Sequence, residues 1–213
     1  MNEKEFCEGL LAWANDRGIA GLQLVTALDD GGYEAWLQAD LAGYLKAKYK
    51  GQIAREQSVY HQESWRVDLL LNPELLTKYQ ILVEIKAQTA KQSAPTFMSE
   101  VEKDLKKLDE GRRNIYVDSG AFMLAVTIEK SADDGMSGWK PDDVNYIFNR
   151  VLSVGGIAFY LAFSGSEGEW RAAKEIDKSA IDKSAIGKTT MESMPKVGTP
   201  RVNQQLFGPG DSF

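Results

Sequence analysis

Between Glu3 and Arg17, apolar side chains recur at three- and four-residue spacing as Phe6, Leu10 and Trp13, which predicts an amphipathic helix ended by Gly18. The next segment, "LQLVTA", reads as a short strand. After the turn "LDDGG", residues 33–49 place Leu37, Leu41, Tyr44 and Leu45 on one side of a second helix. Three strands are then expected, "IAREQSV", "WRVDLLL" and "YQILVEIKAQ", the last two joined by "NPELLTK" with its Asn-Pro turn signal, a spacing that suits a meander. Phe97, Met98, Val101, Leu105 and Leu108 return to helical spacing, with charges filling the opposite face. "AFMLAVTI" has the composition of a buried strand. Pro141, followed by Asp142 and Asp143, opens a helix expected to bury Val144, Ile147, Phe148 and Val151, and "GIAFYLAF" closes the sheet.

This order predicts an α/β domain over residues 1–165, a mixed sheet covered by helices. From 166 to 213 the character changes: "IDKSA" occurs twice in succession, and the last twenty residues are rich in Gly, Pro, Ser and Thr. Such a low-complexity tail reads as a weakly stable surface helix followed by disorder, or as a docking segment for a partner or second subunit.

Composition narrows the class. A chain of 213 residues with 43% hydrophobic and 26% charged residues suits one globular domain with an appendage. The single Cys7 excludes an internal disulfide and, with no Cys/His cluster, a structural zinc site, so a reducing, cytoplasmic setting is expected. The acidic start "MNEKEF" is unlike a signal peptide, and no apolar run reaches the ~20 residues that span a bilayer, so no membrane partner is expected. The net charge of -6 argues against nonspecific coating of nucleic acid without excluding a local basic face. With seven basic and five acidic residues in 171–213, the preceding 170 residues carry 18 basic and 26 acidic ones, a body near -8.

Side chains of a strand alternate between its faces, so each face is read separately. In 79–88, Tyr79, Ile81, Val83, Ile85 and Ala87 make an apolar face, while Glu84, Lys86 and Gln88 share the other. In the preceding strand Trp65, Val67, Leu69 and Leu71 lie on one side, Arg66 and Asp68 on the other. Glu84-x-Lys86 by itself would be an ion pair on a solvated face, and Glu34 by itself an acid favoured in a helix's first turn. Their combination says more: Glu34 and Gln38 continue the stripe of Leu41 and Leu45 toward the body, and Asp68 precedes Glu84 by sixteen residues. Carboxylates converging with a lysine repel one another unless a cation joins them, and magnesium, with its preference for oxygen ligands, suits such a site. The chemistry then expected is phosphodiester hydrolysis.

The order Glu34, Asp68, Glu84-Ile85-Lys86 resembles the PD-(D/E)XK, restriction-endonuclease-like nuclease superfamily over roughly residues 33–128, with Val67 in place of the motif's proline. The resemblance implies an α-β-β-β-α-β core and a catalytic set of Asp68, Glu84, Lys86 and Glu34. It implies Mg²⁺, with Mn²⁺ as substitute, held by Asp68, Glu84, the Ile85 backbone carbonyl and Glu34, and a Lys86 that assists the attacking water. Gln38, Gln88 and Arg66 are expected at the substrate, with a basic set of Arg55, Lys91, Lys103, Lys106, Arg112 and Arg113 around it. The expected substrate is nucleic acid, DNA before RNA, cut as an endonuclease rather than an exonuclease. A homodimer or larger complex would supply double-strand cleavage and offset the acidity. A non-catalytic adaptor on the same fold, recruiting a protein partner, is the alternative that the net charge favours.

Other chemistries are poorly supplied. His61 is the sole histidine and there is no Gly-x-Ser-x-Gly. The paired glycines in "DDGGYE" and "SVGGIAF" lack a Walker-type Lys and Ser, and Cys7 sits in an ordinary amphipathic helix.

Overall fold

Asn2 starts the chain's first helix with a capping box: its side chain accepts from the Glu5 N–H at 3.0 Å, and Glu5 Oε2 accepts from the Asn2 N–H at 2.8 Å. In the computed structural model, which describes residues 1–28, 33–50, 52–139, 148–165 and 170–172, this helix is α1 (Glu3–Trp13). The described residues all belong to one unit, Met1–Asp182. Further helices are α2 (Ile19–Leu28), α3 (Tyr33–Tyr49), α4 (Ala94–Glu110) and α5 (Lys130–Met136). The strands are β1 (Ile53–Gln57), β2 (Val67–Leu71), β3 (Ile81–Ala87), β4 (Gly120–Thr127), β5 (Asn149–Val154), β6 (Ile157–Ser164) and β7 (Trp170–Ala172).

All seven strands form one mixed sheet in the order β1-β2-β3-β4-β6-β5, with β7 also paired to β6. β1, β2 and β3 are the antiparallel meander expected from the sequence, and β4 lies parallel to β3 after the α4 crossover. Both faces of the sheet are covered. On one, Leu69, Val83, Ile85 and Phe122 pack with Phe6 and Trp13 of α1 and Leu37, Leu41 and Leu45 of α3. On the other, Leu70, Leu82, Met123 and Ala125 pack with Phe97, Val101, Leu105 and Leu108 of α4. Burial on both sides explains the near-continuous apolar runs of β4 and β6.

Several expectations change. "LQLVTA" is not a strand: the helix does not stop at Gly18 but passes through a π-turn, Ala14–Gly18, into α2. Gly18 is there for close approach rather than termination, because a Cβ would lie 2.8 Å from the Trp13 ring. Leu22 is then buried and Val25 packs against the same core, three residues on. Phe148 and Val151, assigned to a helix, lie just before and within β5; the rest of that helix, 141–147, falls outside the described residues, as does the tail from 173 onward. The helix α5 gave no recognised signal. Tyr79 and Trp65 are not core: Tyr79 sits exposed in a single 3₁₀ turn before β3, and Trp65 is half-exposed with its edge on Tyr60. β6, expected to close the sheet, is interior, flanked by β4 and by β5 and β7; the β7 pairing also carries the sheet beyond residue 165. No helix among the described residues is long and apolar enough to cross a membrane.

Candidate functional site

The meander places the polar side chains. β2 and β3 pair as Leu69↔Val83, Leu70↔Leu82 and Leu71↔Ile81, and one further step of that register sets Asp68 opposite Glu84. There the backbone pairing has ended, and the Ile85 N–H donates to Asp68 Oδ2 at 2.6 Å, a side chain standing in for a backbone acceptor. Glu34, in the first turn of α3, reaches the end of β3: its Oε2 accepts from the Ala87 N–H at 3.1 Å and lies 3.2 Å from Lys86 Nζ. The two ends of the predicted motif, 52 residues apart in sequence, thus meet.

α4 completes the group. Glu84, almost fully buried, pairs through Oε1 with Lys107 Nζ at 2.9 Å and accepts a short hydrogen bond from the Tyr60 hydroxyl. Lys107 also lies 3.4 Å from Asp104 Oδ1 and 5.1 Å above the Tyr60 ring. Lys86 lies 3.8 Å from Asp104 and 3.9 Å from Glu100. Two lysines therefore alternate with five carboxylates across α3, β2, β3 and α4.

This arrangement governs ionisation. Burial pushes the Asp68 carboxyl up to about 7; the Ile85 amide and Lys107 pull it down, while Glu34 and Asp104 push it further up. Burial also lifts Glu84 well above the carboxylate range, with Asp68 adding to the lift and Lys107 opposing it. Burial alone would lower both lysines; Glu34, Asp104 and Glu100 outweigh it at Lys86, Glu84, Asp104 and Asp68 at Lys107, and both stay above their ordinary value. The Tyr60 hydroxyl is raised by burial and by Glu84, which fixes it as a donor.

Of the residues singled out in the sequence, Glu34, Asp68, Glu84 and Lys86 come together, and Ile85 joins through its amide. Gln38 is buried one turn along α3, where its Oε1 accepts from Arg55 at 3.4 Å. Gln88 is a correction: it is fully buried, its amide donates to the Gln92 carbonyl at 3.1 Å, and its oxygen accepts from the Ile128 and Glu129 amides. It braces the 88–92 loop instead of facing a substrate. Arg66 folds back onto the carbonyls of Glu63 and Trp65, and Arg112 is buried on the Ser119 carbonyl at 2.8 Å. Arg113 binds the Tyr60 carbonyl and Ser58 Oγ, each at 2.9 Å. These three arginines hold loops: Arg112 is buried, while Arg66 stays exposed and Arg113 half-buried. Lys103 and Lys91 remain on the surface, Lys91 at the rim of a cavity of about 520 Å³ lined also by Tyr33, Glu34, Lys86, Thr89 and Gln92.

Sequence reasoning missed Lys107, Asp104, Glu100 and Tyr60. A signal existed for three of them: Glu100, Asp104 and Lys107 repeat at helical spacing beside the apolar stripe of Val101, Leu105 and Leu108. Tyr60 follows β1 with no periodicity to mark it. Cys7 is core, its thiol pushed up by burial to about 12, and His61 is exposed.

Among the described residues no three His, Cys, Asp or Glu side chains converge as a metal cage. Magnesium needs fewer, taking typically one or two protein carboxylates and completing its shell with water and substrate oxygens. Asp68 and Glu84 are carboxyls of the type that such a donor set uses; burial is the main cause of the upward push on both, with neighbouring carboxylates adding to it. The residues fit the ion in chemistry, with Glu84 Oε1 engaged by Lys107. Comparison with protein-family models, curated proteins and solved structures gives no match for this chain.

Proposed function

We propose that the protein is a Mg²⁺-dependent nuclease that hydrolyses phosphodiester bonds, DNA before RNA, at the cleft where α3, β2 and β3 meet. The observation that carries this reading is the convergence of Glu34, Asp68, Glu84 and Lys86 from three separate elements. Asp68 and Glu84 would hold the cation, with the Ile85 carbonyl beside them as a further oxygen. The cation supplies charge stabilisation to the phosphodiester oxygens. Lys86, held by Glu34, orients the attacking water by hydrogen bonding and offsets negative charge developing at phosphorus. Glu34 fixes that ammonium because its second contact, to the Ala87 amide, ties it to the same strand. Water adds to phosphorus, the bond to one ester oxygen breaks, and that oxygen leaves with a proton.

The test is cleavage of supercoiled plasmid, linear duplex, single-stranded DNA and RNA with Mg²⁺ or Mn²⁺. Activity that needs metal and is lost in Asp68→Ala and Lys86→Ala supports the reading; a folded wild type inert on all four substrates refutes it. A second reading, an adaptor that binds protein rather than nucleic acid, is favoured by one observation: Arg66, Arg112 and Arg113 are engaged internally on an already acidic chain.

A further inference from the structure

Lys107 lies where it conflicts with the proposed use of Glu84. Its ammonium is 15% exposed and pairs with a carboxylate that is 2% exposed, at 2.9 Å. The same Glu84 oxygen also accepts from the Tyr60 hydroxyl, so the lone pairs of Oε1 are committed to two donors. A divalent cation approaching Glu84 meets a fixed positive charge at hydrogen-bond range, in a setting whose low dielectric strengthens the repulsion. An alternative partner for that charge is already in place. Asp104 is one helical turn before Lys107 on α4, with Oδ1 3.4 Å from Nζ.

We propose that Lys107 is a built-in counter-cation that competes with the divalent metal for Glu84, and that metal binding requires its ammonium to move from Glu84 onto Asp104. The inference rests on the metal-dependent reading above. It assigns α4 the role of setting metal affinity, with Asp104 as the resting place of the displaced charge. Lys107 is a positioning residue here, since it acts on the metal through Glu84. The contact also gives the fold a reason to tolerate two adjacent carboxylates without metal: Lys107 neutralises one of them, and binding is an exchange of one cation for another.

The experiment is a calorimetric titration of MnCl₂ at pH 8 into wild type, Lys107→Met, Lys107→Gln, Asp104→Asn, Asp68→Asn and Lys4→Met. Lys4 is a surface residue at 82% exposure, and its substitution controls for the loss of one positive charge. Lys107→Gln keeps a hydrogen-bond donor for Glu84, so the comparison stands if the Met variant does not fold. Removing the competitor is expected to tighten Mn²⁺ binding roughly tenfold or more, the order of one charge-assisted hydrogen bond released. Asp104→Asn should weaken binding, and Lys4→Met should match wild type. Equal or weaker binding by both Lys107 variants, with Mn²⁺ still held by wild type and lost on Asp68→Asn, overturns the competition alone. Absence of Mn²⁺ binding in wild type and Lys107 variants alike overturns both the competition and the metal-dependent reading.

Discussion

Replacing Asp68 with Asn should stabilise the protein above neutral pH. The Asp68 carboxyl is pushed to about 7 in the fold, against about 3.9 in an unfolded chain. Between those values the folded protein keeps a proton that the unfolded chain releases, so stability falls as pH rises through the window from about 4 to about 7. Three pKa units at about 1.36 kcal/mol each set a ceiling near 4 kcal/mol at pH 8, falling to roughly 1.5 kcal/mol at pH 5. Asn offers a neutral acceptor to the Ile85 amide in place of a charged one at 2.6 Å, which returns about 1 kcal/mol. Partial solvent access trims the ceiling further. The net expectation is a gain of about 1–3 kcal/mol at pH 8, or roughly 2–10 °C in Tm for a chain of this size, and a smaller gain at pH 5. Urea denaturation of both proteins at pH 5 and pH 8 measures the difference of differences. A variant less stable than wild type at pH 8, or an advantage that does not change with pH, would show that Asp68 is not held in the charge-hostile environment described above.

Phe6→Ala should cost about 3–5 kcal/mol, because the ring is fully buried and stacks on Phe122 at 4.5 Å; chemical denaturation would show it, and a loss under 1 kcal/mol would mean that α1 is not part of the core. Gly18→Ala should destabilise by about 1–2 kcal/mol despite alanine's better helix propensity, since its Cβ would meet the rigid Trp13 ring at 2.8 Å; thermal melts that show stabilisation would contradict the packing of the π-turn.

Period and alternation carried the sequence reading where one face of an element differs from the other. α1, α3 and α4 have an apolar stripe, and the meander has turn signals, so both were legible. Polar residues in β3 stood out as a candidate site because strands disfavour them, and the acids of α3 and β2 fell on faces that the structure brings together. The failures share a cause. "LQLVTA" and Val151 carry β-favouring residues whose state is set by what precedes and covers them, a π-turn in one case and strand β6 in the other. The stripe of Glu100, Asp104 and Lys107 was mistaken for solvated surface because charge on a helix is ordinarily read as exposed, whereas this stripe borders the buried face and closes over Glu84. Arg112 was misjudged by the same habit: a loop arginine can serve as an internal hydrogen-bond hub for carbonyls that no strand satisfies.

The contact between the two ends of the described chain has a consequence for the order in which the molecule is made. Arg171 of β7 donates to both oxygens of Glu3 in α1, at 2.8 and 2.6 Å, across a separation of 168 residues. α1 leaves the ribosome well before its ring partner Phe122 and its ion-pair partner Arg171. At about 5–20 residues per second, roughly ten to thirty seconds of synthesis separate Glu3 from Arg171. Early in that interval only α3, with Leu37, Leu41 and Leu45, is at hand to cover Phe6, Leu10 and Trp13; Phe122 and Phe159 of the sheet follow later. The meander and α4, which hold most of the candidate site, contact one another locally and can pair before α1 docks. The cleft residues are thus drawn largely from a part of the chain whose partners lie close in sequence, whereas the cover of the opposite face is completed only by residues made long after α1.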